Sequence, residues 1–260
     1  MRERLEAILR TIPSPAIAVS GGVDSVTLAA LASELSSDVV LMHAVSPAVP
    51  PEATRRLQAL AAARGWDLQL LDAGEFDDAR YRDNPRNRCF YCKSNLYGAI
   101  GARTDRQILS GANLDDLGDY RPGLIAAQEY RVRHPYIEAG IAKSMVRELA
   151  RELALHELAD LPASPCLSSR VETGIRIEAP LLSFIHAVER AIAAQIHATT
   201  VRCRVRAAAV VVELDPATLD RLSPEDQQRL IDLTRTQAHR PPLPIVLERY
   251  RRGSAFMASS

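Results

Sequence analysis

The stretch AIAVSGGVDSVTLAALAS, residues 16–33, constrains this chain more than any other. Its first residues, Ala16 to Val19, form an apolar run of the length of a short buried strand. Ser20, Gly21, Gly22, Val23, Asp24 and Ser25 follow, and Val26 to Ala32 then carry apolar residues at helical spacing. A strand, a glycine turn and a helix start, in that order, make an anion site. The glycines let backbone N–H groups approach a ligand closely, the serines add hydroxyl donors, and the helix dipole favours negative charge. No Gly-Lys-Ser/Thr follows at the spacing a Walker A loop requires. The plain alternative is an ordinary Ser/Gly turn between a strand and a helix.

Strands and helices alternate through the rest of the N-terminal part. Periodicity predicts helices over 2–11, 51–65 and 96–102, and strands over 39–42, 68–71 and 107–110. That order is the pattern of an α/β fold, a doubly wound parallel sheet whose ligands bind beyond the C-terminal strand ends. The glycine turn lies at such an end. Residues 72–88 read as polar and irregular, and 111–123 are dense in turn formers and carboxylates. A helix is expected over 143–155, then a loop over 161–174 that contains Cys166. The composition then shifts. A helix over 181–197, paired strands over 201–205 and 210–214, a helix opening at Ser223-Pro224-Glu225 and a strand over 245–250 suggest a smaller C-terminal α+β domain. The boundary is set near residue 178, giving domains 1–178 and 179–260, with a frayed tail after Arg252.

Lys+Arg and Asp+Glu both number 32, so net charge favours no nucleic-acid partner. The opening MRERLEAILR is amphipathic, and no apolar run reaches the ~18 residues of a membrane span, so a cytoplasmic protein without membrane contact is expected. Basic charge is almost all arginine. Lysine occurs only at Lys93 and Lys143, both beside candidate motifs, so a specific ammonium role is expected at each. For Lys143 the alternative is a solvated lysine at a helix end.

Four cysteines are present: Cys89, Cys92, Cys166 and Cys203. In a cytoplasmic chain, C-x-x-C suggests metal, cluster or redox chemistry rather than a structural disulfide. Zinc would need a fourth ligand. A [4Fe–4S] cluster can sit on three thiolates with one iron left open, and Cys89, Cys92 and Cys166 match that count if the loops carrying them meet. Cys203, inside a predicted strand, reads as structural.

The SGGVDS turn resembles the SGGxDS pyrophosphate loop of the N-type ATP pyrophosphatases, which split ATP into AMP and pyrophosphate while adenylating an acceptor. Three further segments, NLDDLGDYRPG, EAGIAKSMVRELA and PASPCLSSRVETG, resemble the LarE family, and the resemblance runs from about residue 16 to residue 214. Members of that family are ATP-dependent sulfur transferases of nickel-pincer nucleotide cofactor biosynthesis. They adenylate a carboxylate of pyridinium-3,5-biscarboxylic acid mononucleotide, and sulfur then displaces AMP. The resemblance implies that Ser20, Gly21, Gly22, Asp24, Ser25, Gly111 and Lys143 hold ATP, with Asp24 near Mg²⁺. Asp115, Asp116 and Asp119 would orient Mg²⁺ or substrate.

Cys166 matches the cysteine that gives up its sulfur in one branch of the family. Cys89 and Cys92 match the extra pair that, with it, holds a [4Fe–4S] cluster in another branch. This chain resembles the second, with sulfide or another sulfur donor as co-substrate. Arg202, Arg204 and Arg206 share one face of a strand by alternation. Arg204 and Arg206 match a pair that grips the substrate phosphate, a group that a guanidinium fork suits. Ser169 and Arg170 are placed at the same phosphate, Glu189 and Glu213 near it, and relatives form homo-oligomers. The chain departs from the family at Glu172-Thr173-Gly174, where Tyr-Gly is usual, and in a shorter, more apolar turn after Arg206. Other readings stay open. A tRNA thiolase on the same loop would need a basic RNA surface. An ammonia-dependent amidotransferase of the NAD synthetase type would need no paired cysteines. A regulatory nucleotide- or metal-binding module would use C-x-x-C as a zinc knuckle.

Overall fold

The computed structural model describes residues 2–118, 121–161 and 165–251. Asp119 and the segment after Arg252 lie outside them. Strands β1 (Ala16–Ala18), β2 (Val40–Ala44), β3 (Asp67–Leu71) and β4 (Ile108–Ser110) form an all-parallel sheet in the order β3-β2-β1-β4. Alternate residues of β1 serve opposite layers, which is why its run is continuously apolar. Ile17 joins Leu41 and Leu109 in a core with the helices Arg2–Arg10, Val23–Leu35 and Lys143–Glu152. Ala16 and Ala18 join Val40 and Met42 in a second core with Tyr97 and Ile100 of the helix Arg88–Gly101 and with Ala127 of the helix Pro122–Glu129. The sheet is therefore covered on both faces, as the doubly wound pattern requires.

Several elements depart from the sequence reading. The helix expected from 96 begins at Arg88, so Cys89 and Cys92 stand in its first turns rather than in a loop. Helices Pro122–Glu129 and Pro135–Ala139 were not expected; each opens on a proline, whose fixed φ suits a first turn. The helix expected over 143–155 stops at Glu152, and Ala154 at φ +56° separates it from a short helix, His156–Asp160.

Contacts divide the chain into two units, Met1–Asp78 with Asn87–Ser164, and Ala79–Arg86 with Pro165–Ser260. The division thus falls at 164 rather than 178, and the second unit claims a segment from the first half of the sequence. Antiparallel β5 (Val201–Val205) and β6 (Val210–Leu214), with β7 (Ile245–Arg249) parallel to β6, make its sheet. The helix Ala179–Gln195 packs on β5 and buries Leu182, Ile185, Val188 and Ile192. The helix Pro224–Arg235 starts as expected, with the Ser223 side chain accepting from the Asp226 amide.

The early segment is bound to 165–177 by specific hydrogen bonds. Tyr81 Oη lies 2.6 Å from Ser168 Oγ. The buried Asn84 amide donates to the carbonyls of Val171, Glu172 and Ile175 at 3.3, 2.8 and 2.9 Å. Ile177 N donates to Arg82 O at 2.7 Å. Among the described residues no helix is long and apolar enough to cross a membrane.

Candidate active site

The glycine turn sits at the C-terminal end of β1. Gly21 adopts φ +78°, which favours glycine, and a Cβ there would crowd the carbonyl oxygen of Ala53 at 3.1 Å. Gly22 occupies the N-cap of the helix Val23–Leu35 without a side-chain cap. The first-turn N–H groups of that helix are thus left to a ligand, at the positive end of the dipole. Ser20 is exposed, whereas Ser25 is buried. Ser25 Oγ accepts from Ser20 N at 3.1 Å and lies 3.3 Å from both Ser20 Oγ and Gly22 O. It braces the turn from within. Gly111, at the exit of β4, lies against the same turn: a Cβ would come within 2.8 Å of Ser25 N and 2.9 Å of the Asp24 carbonyl carbon. Its place is a close backbone approach that admits no side chain.

Three residues converge on Asp24. Lys143, at the start of its helix, makes an ion pair with Asp24 Oδ2. Asn113 Nδ2 donates to Asp24 Oδ1 at 3.2 Å, and the buried Tyr136 hydroxyl donates to Asp24 O at 3.0 Å. Burial first, and Asp24 second, push the Tyr136 phenol well above its ordinary range, so it stays a donor. Asp115 Oδ2 accepts from Lys143 N at 3.0 Å, tying the lysine to the carboxylate-rich turn. Asp116 completes a capping box with Asn113, its Oδ2 accepting from Asn113 N at 3.1 Å, and pairs with Arg121. Asp115 and Asp116 therefore organise the turn. Asn113 and Tyr136 were not singled out from sequence. An Asn three residues before an Asp is, however, a capping signature and would have marked Asn113.

A magnesium ion carried by a nucleotide needs one or two protein carboxylates besides phosphate oxygens, and the half-buried Asp24 satisfies that count. The cysteines expected at the cluster are divided between the two units. Cys89 and Cys92 share one face of their helix at i, i+3, exposed and half-buried respectively. Cys166 belongs to the second unit. Among the described residues no group of three or more His, Cys, Asp or Glu is gathered to hold a metal ion, and neither unit by itself supplies three thiols for a cluster.

In the second unit, Cys166 is exposed while its backbone is fixed. Its carbonyl accepts from Ser169 N at 3.0 Å, Ser169 Oγ at 2.8 Å and Arg170 Nη1 at 3.0 Å. Arg170 is 2 % exposed. It forks onto Glu189, Nε to Oε1 at 3.0 Å and Nη2 to Oε2 at 3.3 Å, and Glu189 Oε1 also accepts from Cys203 N at 3.0 Å. Ser169 and Arg170, expected at the phosphate, bond the Cys166 carbonyl, and Glu189, expected near it, holds Arg170.

Arg204 Nε donates to the buried Glu213 Oε2 at 2.7 Å, and Arg206 Nη2 to Glu213 Oε1 at 3.0 Å. Arg204 Nη1 also reaches Ser169 O at 3.2 Å, and Arg206 Nη1 the Glu248 carboxylate at 3.0 Å. The expected phosphate fork is closed on glutamates. Cys203 is fully buried, and burial drives its thiol well above the ordinary range, as a structural cysteine requires.

A parallel sheet with a glycine anion loop at a strand end, backed by an Asp–Lys–Asn cluster, defines an α/β protein of pyrophosphate-loop type. No family model matches the chain. The uncharacterized protein slr1717 of Synechocystis sp. is 39 % identical over 180 residues, 67 % of each chain, and the present chain belongs to the same family. The uncharacterized protein MJ0830 of Methanocaldococcus jannaschii is 28 % identical over 66 % of the chain and 67 % of its own length. A Lactiplantibacillus plantarum homologue named pyridinium-3,5-bisthiocarboxylic acid mononucleotide synthase is 28 % identical over 72 % of the chain and 69 % of its own.

Proposed function

We propose that this chain is a LarE-type, ATP-dependent sulfurtransferase that converts a carboxylate of pyridinium-3,5-biscarboxylic acid mononucleotide into a thiocarboxylate. The observation that carries the reading is the uncapped glycine loop whose Asp24 is held by Lys143 and Asn113. A carboxylate is a poor electrophile, so its oxygen first attacks the α-phosphorus of ATP. Pyrophosphate leaves, and the product is an acyl adenylate. The loop N–H groups would hold the phosphates, Lys143 would turn from Asp24 to the developing charge, and Asp24 would hold Mg²⁺, which supplies charge neutralisation when bound.

A sulfur nucleophile then attacks the acyl carbon and AMP departs. Cys166 suits that role in its simplest form, because its sulfur is exposed on a pinned backbone. Its thiol would form a thioester. Loss of the Cys166 α-proton and cleavage of the Cβ–S bond would then release the thiocarboxylate and leave dehydroalanine. A [4Fe–4S] cluster on Cys89, Cys92 and Cys166 would, when bound, supply a replaceable sulfide as the nucleophile instead. Magnesium and the mononucleotide are the small-molecule partners; sulfide and self-assembly into oligomers belong to the same proposal.

Incubation with ATP, Mg²⁺ and the mononucleotide should yield AMP and pyrophosphate in step with thiocarboxylate. Mass spectrometry should find Cys166 about 34 Da lighter, the mass of hydrogen sulfide lost by β-elimination. Anaerobic reconstitution with iron and sulfide, with iron counted in wild type and in Cys89→Ala, Cys92→Ala and Cys166→Ala, tests the cluster route. About four irons lost in each variant would replace the sacrificial route with a cluster on three thiolates. No AMP formation with this substrate would overturn the assignment.

A further inference from the structure

Both residues at the crest of the phosphate loop are glycines, and a Gly–Gly peptide is the least constrained link a chain can have. If its plane turned over, the Gly22 N–H would point away from the anion and the Gly21 carbonyl toward it. That exchange replaces a donor with a dipole of the wrong sign. Something must hold the plane, and no residue of the SGGVDS motif does so: Ser25 reaches only the Ser20 amide and hydroxyl and the Gly22 carbonyl.

The helix Pro51–Arg64 lies directly against the loop. Its Ala53 carbonyl marks the space that a Gly21 side chain would fill. Thr54 Oγ1 lies 2.9 Å from His43 Nε2, whose Nδ1 lies 2.8 Å from Val19 O, one residue before the loop. Arg56 Nη2 donates to the Gly21 carbonyl at 3.3 Å, and Arg56 Nε is buried and makes no hydrogen bond among the described residues. A half-buried guanidinium turned toward a backbone carbonyl, with a donor in reserve, is an arrangement that a solvated surface arginine has no reason to adopt.

We infer that Arg56 is a positioning residue for the nucleotide: by holding the Gly21 carbonyl, it keeps the Gly22 N–H directed at the phosphates. The inference rests on the ATP reading of the loop and adds a residue outside the loop motif. Its cation also lies behind the loop, where it adds to the positive end of the Val23–Leu35 helix.

Titration calorimetry with Mg-ATP and with Mg-pyrophosphate on the full chain tests it, beside amide hydrogen exchange of the peptide spanning 19–26. Arg56→Ala should weaken both ligands by about ten-fold, the worth of one charge-assisted hydrogen bond, and raise KM for ATP more than it lowers kcat. Exchange should quicken in the loop without a drop in melting temperature, and Arg56→Lys should recover most of the affinity. Arg55→Ala, at an exposed site on the same helix, should behave as wild type. Unchanged affinity in Arg56→Ala would overturn the inference, as would loosening spread through the whole sheet with no rescue by lysine. If wild type itself binds neither ligand, the ATP reading falls, and the inference with it.

Discussion

At the scale of single residues, the site depends on a few charged and titratable groups held by specific partners. Lys143 is one of only two lysines, and it pairs with Asp24 at the mouth of the anion loop. Lys143→Ala should reduce pyrophosphate release about 10²–10³-fold in kcat, as removal of one preorganised charge-stabilising group does, while the urea midpoint stays near wild type. His43 is buried, and burial lowers its pKa below the ordinary imidazole value; His134, beside Ser110, is lowered first by burial too. Both rings take up a proton less readily in the folded chain than in the unfolded one, which does so below about pH 6.5. Their contribution is therefore complete above that pH and is lost as pH falls toward the folded values. Urea midpoints should drop between pH 7.5 and 5.5, and the drop should be shallower in His43→Gln, by linkage over roughly that window.

Among the elements, the β5–β6 ribbon holds the most consequential charge arrangement. Glu213 is 1 % exposed and receives both Arg204 and Arg206. Glu213→Ala would strand Arg204 in the interior and should cost about 3–5 kcal/mol in urea denaturation, whereas Arg204→Met with Glu213→Leu should cost much less. The strand–turn–helix of residues 16–33 was legible in sequence because β1 is apolar on both faces and ends in two glycines. In the second sheet, β5 was legible by its alternating arginines and β6 by its run of valines. The helix that carries Cys89 and Cys92 was not: its first turns, Arg88-Cys89-Phe90-Tyr91-Cys92-Lys93, bury only Arg88, and its other buried side chains, Tyr97 and Ile100, lie in its second half. The Arg204–Arg206 stripe was visible, but its closure on Glu213 and Glu248 was not, because that depends on which strands pair. Arg56 and Asn84 left no local signal for the same reason. Each acts on a backbone carbonyl far away in sequence.

On the scale of the whole molecule, the second unit is assembled from two stretches of sequence that lie about 80 residues apart. Asn84, at φ +54° with no solvent exposure, serves three carbonyls of residues 171–175. Asn84→Ala should cost about 1–3 kcal/mol through unsatisfied buried carbonyls and the left-handed backbone. Asn84→Gly removes the amide but accepts the conformation, so comparing the two by urea unfolding separates the terms. During synthesis, residues 79–86 leave the ribosome long before the carbonyls they will serve. A gene cut at residue 164 would yield a C-terminal fragment without Tyr81 and Asn84, its Val171–Ile175 backbone left with unmet acceptors. The second unit is therefore not a cassette that recombination could lift out and graft elsewhere. The two halves must be inherited, and engineered, together.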